Sequence, residues 1–178
     1  MIIGLSGKAQ AGKDTVATIL VEDYGFTRLA FADVIKAAVY TLDPIISLSG
    51  LRLQHLVDAN GWDSAKQFPE VRRLLQVFGS EVGRDLIDEQ IWIELTMNGI
   101  KASANIVISD VRFKNEAEEI KYQGGQVWRV TRAINDTIDY HRSETDLDSW
   151  NFDQYIPNNS TLEELRNEVR EVMWKNRK

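Results

Sequence analysis

The chain has 178 residues, 43% of them hydrophobic and 27% charged, and its formal net charge is −6. This composition is typical of a folded globular protein and excludes disordered and fibrous classes. The absence of cysteine excludes disulfides, zinc-thiolate sites and cysteine nucleophiles. The acidic charge argues against nucleic-acid binding, and the apolar runs are too short to span a membrane. We therefore expect a single cytoplasmic domain over residues 1–178.

The first informative feature is a glycine-rich segment that follows the short apolar run Met1 to Ser6. Two glycines five positions apart, then a lysine and a helical pattern, are typical of a phosphate-binding loop, whose backbone N–H groups face an anion. An ordinary strand-to-helix turn is the alternative, but strand, loop, lysine and helix in this order favour phosphate binding. The predicted phosphate contacts are Gly7, Lys8, Ala9, Ala11, Gly12, Lys13, Asp14 and Thr15.

The loop departs from the usual pattern at Asp14, which stands where a serine or threonine is expected, and the hydroxyl comes one residue later at Thr15. In the usual loop that hydroxyl binds Mg²⁺. A metal could therefore be bound by Asp14 or Thr15, directly or through water, or Asp14 could serve only as an acid in the first helical turn.

The next third of the chain reads as mostly helical. We predict a strand over 27–32, then a helix capped by Asp33 that carries Lys36. The segment 44–68 is the least clear, with a helix over 51–59 and a turn over 60–63. Pro69 begins a strongly amphipathic helix on which Arg73 lies off the apolar stripe. For Lys36 and Arg73 the plain alternative is a solvent-exposed surface position.

A further helix is predicted from Asp88 to Ile100, and it carries Trp92, which is either a core residue or a pocket wall. The β-branched run over 105–110 then predicts a strand buried on both faces, as in a parallel sheet. Ligands bind at the carboxyl ends of such strands, where Asp110 and Arg112 follow. Asp110 is either a partner of a metal-bound water or substrate hydroxyl, or only a helix cap.

The last third of the chain continues the alternation of strands and helices. A strand over 126–131 is followed by Arg132 and by a polar segment to 149, which is predicted to be a loop or a lid. It contains Glu144 and His141, and the plain alternative for His141 is a solvated surface histidine. A strand over 152–156 and a helix capped by Ser160 complete the chain. The whole pattern predicts a three-layer α/β fold with a central, mostly parallel five-stranded sheet flanked by helices.

The chain resembles the deoxynucleoside monophosphate kinases of tailed bacteriophages, within the nucleoside monophosphate kinase group of P-loop folds. The resemblance covers nearly the whole chain and rests on the order of several elements. They are Gly12-Lys13-Asp14-Thr15, Phe31-Ala32-Asp33 with Lys36, Arg72 to Gln76 with Gly79, Asp88 with Trp92, Asp110-x-Arg112 with Glu116, His141-x-x-Glu144, and Asn158-Asn159-Ser160. The segment 44–68 resembles the family least.

The resemblance implies that ATP, with Mg²⁺, phosphorylates a deoxynucleoside monophosphate (dNMP). It implies catalytic roles for Lys13, Arg73, Asp110 and Arg112, and an acceptor-binding region over about 33–100. The implied dNMP contacts are Lys36, Arg73, Trp92, Asp110, Arg112 and Glu116. Arg132 would contact the donor, and a lid over about 132–149 would include His141 and Glu144.

Three points stay open from the sequence alone. The accepted bases are not determined, and the oligomeric state is open, a homodimer included. Other readings are a P-loop kinase of a phosphomevalonate-like or dephospho-coenzyme A-like metabolite, and a nucleotide-binding module without turnover. An intact Lys13 beside several acids and arginines at strand ends argues against the module.

Overall fold

The computed structural model describes residues 1–98, 100, 104–133 and 145–175. The chain forms two compact units, one made of residues 1–30 and 100–178 and the other of residues 31–99. The second unit spans nearly the same residues as the predicted acceptor-binding region, whose binding role stays a prediction.

The first unit is built on a parallel sheet of five strands in the order β2-β3-β1-β4-β5. Short polar or glycine-containing segments follow most strands, which is where ligands bind in sheets of this kind. The five-stranded sheet of the predicted fold is thus confirmed. The strands are β1 (Ile2–Ser6), β2 (Thr27–Leu29), β3 (Ile106–Ile108), β4 (Gln126–Thr131) and β5 (Gln154–Pro157).

Helices cover both faces of this sheet. They are α1 (Lys13–Tyr24), α6 (Lys114–Tyr122) and α7 (Leu162–Lys175). Side chains alternate along β1, so Ile3 and Leu5 join the core that contains residues of α1 and α7. Gly4 faces the other way, where a Cβ atom would overlap with Ile120 of α6. The three-layer arrangement follows from this alternation of buried residues.

The second unit is helical. Its elements are α2 (Phe31–Leu42), α3 (Leu53–Ala65), α4 (Pro69–Val77), a π-helical segment (Phe78–Ile87) and α5 (Ile91–Met97). Its apolar core includes Val39, Leu53, Leu56 and Val71. The amphipathic helix predicted to begin at Pro69 is confirmed, and its apolar stripe continues into the π-helical segment.

Several predicted boundaries are wrong. Phe31 and Ala32 begin α2 rather than end β2, so Asp33 lies in the first turn of that helix and does not cap it. Phe31 is apolar and 3% exposed, and burial satisfies it in a helix as well as in a strand. The helix predicted over 88–100 is shorter, because Asp88 has extended backbone and α5 begins at Ile91.

The turn predicted over 60–63 is present in part, as a kink at Gly61. Gly61 alone leaves helical geometry, at φ 74° and ψ 166°, and the helix resumes after it. One further prediction is wrong. The last helix is capped one residue later than predicted. The Thr161 hydroxyl accepts from the Glu164 N–H at 3.3 Å, and the Glu164 carboxylate accepts from the Thr161 N–H at 3.4 Å.

Candidate active site

The glycine-rich segment forms a tight loop between β1 and α1. Gly12 has a left-handed backbone with φ 100°, and the Val16 N–H donates to its carbonyl at 3.0 Å, which begins the helix. At Gly7 a Cβ atom would overlap with the carbonyl oxygen of Val130 in the neighbouring strand β4. Both glycines are therefore required by geometry, one by its backbone conformation and one by a close approach of backbone.

The Lys13 side chain folds back over this loop. Its Nζ donates to the carbonyl oxygens of Gly7 at 2.7 Å and Lys8 at 2.9 Å. The ammonium group is thus held at the mouth of the loop, where the N-terminus of α1 also contributes positive potential. This arrangement suits an anion with several oxygens.

A charged network supports the loop from strand β4. The Arg129 guanidinium donates to the Ser6 hydroxyl and to the Asp148 carboxylate, each at 3.2 Å, and lies 5.2 Å from the centre of the Phe152 ring. Asp148 also pairs with Lys8 at 3.3 Å. One carboxylate therefore neutralises two cations next to the loop, and one of these cations belongs to the loop itself.

Asp14 and Thr15 lie in the first turn of α1 and are both exposed. Their carboxylate and hydroxyl oxygens are hard donors of the kind Mg²⁺ accepts. Among the described residues, no cluster of three or more His, Asp or Glu side chains is arranged to hold a metal.

The turn after β3 contains Asp110 and Arg112, both half-buried. Glu116 is 2% exposed, and its carboxylate accepts from the backbone N–H of Arg112 at 2.7 Å and of Phe113 at 3.1 Å. Each of these backbone hydrogen bonds helps to offset the cost of burying a polar side chain. Glu116 therefore shapes the turn that presents Arg112.

Two cations of the second unit are held by carboxylates one helical turn earlier. Lys36 pairs with Asp33 at 2.7 Å on α2. Arg73 makes two hydrogen bonds to Glu70 on α4, at 2.9 and 2.7 Å, which lower the pKa of Glu70 and raise the pKa of Arg73. These are the two side chains that are predicted to bind the acceptor phosphate, and this role stays a prediction.

Trp92 is 3% exposed, and its indole N–H donates to the Gly79 carbonyl at 2.8 Å. A Cβ atom at Gly83 would overlap with the indole ring, so the glycine makes room for it. The side chain thus lies in the core of the second unit, which is one of the two alternatives that the sequence leaves open. Its contact with a base stays a prediction.

The predicted lid falls partly outside the described residues, and His141 and Glu144 both lie there. Arg132 is exposed directly after β4.

Beyond β5, an open groove of about 280 Å³ is lined by the residues that join this strand to the first turns of α7.

A family model for deoxynucleotide monophosphate kinases matches residues 57–169, which is more than half of the chain. A putative deoxynucleotide monophosphate kinase of Acanthamoeba polyphaga mimivirus is 31% identical over 95% of this chain and 94% of its own length. The chain belongs to the deoxynucleotide monophosphate kinase family. The family match begins well after the phosphate loop, so the loop is separate support for phosphate binding.

A phage relative agrees with this kinase assignment, and a solved structure agrees with the fold. A deoxynucleotide monophosphate kinase of Escherichia phage RB69 is 30% identical over 58% of this chain and 44% of its own length. Among solved structures, a shikimate kinase from Aquifex aeolicus superposes with a TM-score of 0.50 over 99% of this chain and 98% of its own, at 13% identity. That likeness shows the fold alone.

Within the described residues, no helix is long and apolar enough to cross a membrane.

The sequence did not indicate three side chains around the loop of this kinase: Arg129, Asp148 and Asn158. Arg129 is a charged residue inside a buried strand, which is a usable signal, since a charge at such a position needs partners. Asp148 lies in a polar segment with no pattern to single it out. Asn158 belongs to the Asn158-Asn159-Ser160 element of the family resemblance, but the sequence does not indicate its partner in the loop.

Proposed function

We propose that the protein transfers the γ-phosphoryl group of ATP to a deoxynucleoside monophosphate, giving ADP and a deoxynucleoside diphosphate. The observation that carries this proposal is the closed phosphate loop, with Lys13 bonded to two loop carbonyls, in a chain of the deoxynucleotide monophosphate kinase family. The family membership favours nucleotides over the metabolite acceptors that the loop alone also allows.

Phosphoryl transfer needs little covalent chemistry from the protein, so catalysis consists of alignment and neutralisation of charge. In the first unit, Lys13 and the loop N–H groups would bind the β- and γ-phosphates of ATP, and Arg132 would contact the donor. Asp110 and Arg112 would bind the acceptor. No general base is required, because the attacking group is already an ionised phosphate.

In the second unit, Lys36 and Arg73 would bind the acceptor monophosphate. Each is paired with an acid on its own helix, Asp33 and Glu70, so binding would exchange part of this pairing for contacts with phosphate oxygens. The fork of Arg73 suits two phosphate oxygens at once.

Mg²⁺ would be held by Asp14 or Thr15, directly or through water, with nucleotide phosphates as its other ligands. When bound, the ion neutralises charge on the phosphates. The sparse oxygen donors of the loop fit this mode, since Mg²⁺ usually takes one or two protein carboxylates beside substrate phosphates and water.

Kinase relatives from a giant virus and a phage support a cytoplasmic location, that of the host cell if a virus encodes the protein. A homodimer stays a prediction, which light scattering in solution tests.

The test is an ADP-release assay with ATP and a panel of deoxynucleoside monophosphates, ribonucleotides, mevalonate phosphate and dephospho-coenzyme A. We expect ADP release that depends on one or more deoxynucleoside monophosphates. Tight ATP binding without acceptor-dependent ADP release would instead indicate a binding module. A preference for another acceptor would assign a different kinase.

Two variants test the assigned roles. Lys13→Met is expected to lower kcat/KM by about 100-fold or more, since it removes a charge aimed at the transferring group. Arg112→Ala is expected to raise KM for the acceptor more than KM for ATP. Lys175→Met and Arg170→Ala, at exposed positions of α7, are the matched controls. Normal turnover by Arg112→Ala would contradict its placement at the acceptor.

A further inference from the structure

Two consecutive asparagines directly after β5 contact the phosphate loop and the end of β4 in the first unit. The Asn158 side-chain amide donates from Nδ2 to the carbonyl oxygen of Ala11 in the phosphate loop at 2.9 Å. The Asn158 backbone N–H donates to the Thr131 carbonyl at 2.7 Å, at the end of β4. The Asn159 Oδ1 accepts from the Ala133 N–H at 2.7 Å.

The contact of Asn158 with the loop is steric as well as polar. A Cβ atom at Gly12 would overlap with Asn158 Nδ2, so the amide occupies the space that the glycine leaves. A carbonyl oxygen can only accept a hydrogen bond, and this fixes the amide nitrogen as the atom that faces Ala11.

The bond acts on the peptide unit that joins Ala11 to Gly12. In a planar trans peptide the C=O and N–H bonds point in opposite directions. Holding the Ala11 carbonyl toward Asn158 therefore directs the Gly12 N–H away from it. Gly12 is the last glycine of the loop, where backbone N–H groups bind phosphate oxygens. The orientation of this donor depends on a side chain 147 residues away along the chain.

We propose that Asn158 is a positioning residue for ATP, which acts by fixing the Ala11–Gly12 peptide so that the Gly12 N–H faces the donor phosphates. This inference rests on the proposed function for the identity of the nucleotide. A loop without this bond can rotate the peptide, and it then loses one preorganised N–H donor. Preorganised backbone donors contribute to catalysis because they need no rearrangement when charge develops.

The surroundings of Asn158 suit such a role. Its backbone is anchored to Thr131 by its own N–H, so the amide reaches the loop from a fixed point on the sheet. Asn159 holds the chain at Ala133, next to Arg132, through a separate bond. The same two residues therefore connect the phosphate loop and the segment after β4.

The first measurement is binding of the non-hydrolysable analogue β,γ-imido ATP by calorimetry, which needs no acceptor and no turnover. We expect Asn158→Ala to weaken binding on the order of tenfold, the cost of about one hydrogen bond. Asn158→Asp keeps the shape but, when ionised, cannot donate to the Ala11 carbonyl, and should bind at least as weakly as the alanine variant. Asn167→Ala, an exposed asparagine on α7, is the matched control.

The second measurement separates positioning from stability. Asn158→Ala is expected to lower kcat/KM for ATP by about 10- to 100-fold while KM for the acceptor and Tm stay close to wild type. Affinity for the analogue within about twofold of wild type in both variants would overturn the proposal. An equal fall in kcat/KM for ATP and for the acceptor, together with a lower Tm, would also overturn the proposal, because it would indicate that Asn158 has only a structural role. If the wild-type protein binds the analogue but does not turn over ATP with any acceptor, this result would contradict the proposed reaction and not the role of Asn158.

Discussion

At the scale of single residues, the charged side chains of this kinase are held by partners rather than left to move. Lys13 is held by two carbonyls, Arg129 by Ser6 and Asp148, and Arg73 by Glu70. Lys36 is held in the same way, by Asp33. A long side chain held in one geometry has lost part of its rotamer entropy before a ligand arrives, but a phosphate must replace part of the pairing of Arg73, so these two effects on binding oppose each other.

The Glu70–Arg73 pair gives a pH-dependent prediction. The pKa of Glu70 is lowered by its hydrogen bonds to Arg73. The pair therefore stabilises the folded state at neutral pH, and this contribution is lost as pH falls through the folded pKa. Glu70→Gln is expected to lower Tm by ~1–2 °C at pH 7. The difference should shrink as the pH falls below the ordinary glutamate pKa of about 4.3, and it should vanish only below the lowered pKa of folded Glu70.

Thermal unfolding across pH measures this difference. Glu94→Gln, an exposed glutamate on α5, is the control and should show little change at any pH. A Glu70→Gln variant that became less stable relative to wild type as the pH fell would contradict the assigned sign.

At the scale of elements, turns and kinks were predicted less well than the strands and helices themselves. A continuous β-branched run identified β3, because this strand is buried on both faces. Apolar patterning identified β4, α4 and α7, because each of them buries part of its surface. Gly61 shows the limit of turn signals. A residue pattern that usually breaks a helix only kinks α3, since packing of Leu53, Leu56 and Ala65 holds both halves in the same core.

Helix α7 offers a matched pair of leucines for a stability test. Leu165 is 3% exposed and lies in the core with α1 and the sheet, whereas Leu162 is 55% exposed. Leu165→Ala is expected to lower the free energy of unfolding by about 2–5 kcal/mol, and Leu162→Ala by less than about 0.5 kcal/mol. Denaturant titration measures both. Equal effects would show that α7 is not packed as described.

At the scale of the whole molecule, the first unit is assembled from both ends of the chain. Residues 1–30 supply the phosphate loop and α1, and residues after 104 supply β3, β4, β5, α6 and α7. Arg166 on α7 bonds to Asp23 and Glu22 at the end of α1, across 143 and 144 residues. These bonds raise the pKa of Arg166. Folding of the unit that contains the phosphate loop therefore depends on contacts distant in sequence.

Removing this connection should have a small, salt-dependent effect. Arg166→Ala is expected to lower Tm by ~1–3 °C at low salt, and the difference should shrink near 1 M salt, because exposed ion pairs are screened. Arg170→Ala on the same helix is the control. A difference that persists unchanged at high salt would show that Arg166 contributes through packing of its aliphatic part instead.

The sequence by itself determined the parallel α/β fold and the phosphate loop, because both produce local sequence patterns. Buried β-branched runs indicate the parallel strands, and glycines and a lysine at fixed spacing indicate the loop. Only the tertiary structure decided which side chains support that loop. Arg129 meets Ser6 across 123 residues and Asn158 meets Ala11 across 147. Such contacts leave no periodic signal, since they depend on which strands are neighbours in the sheet and where each one ends.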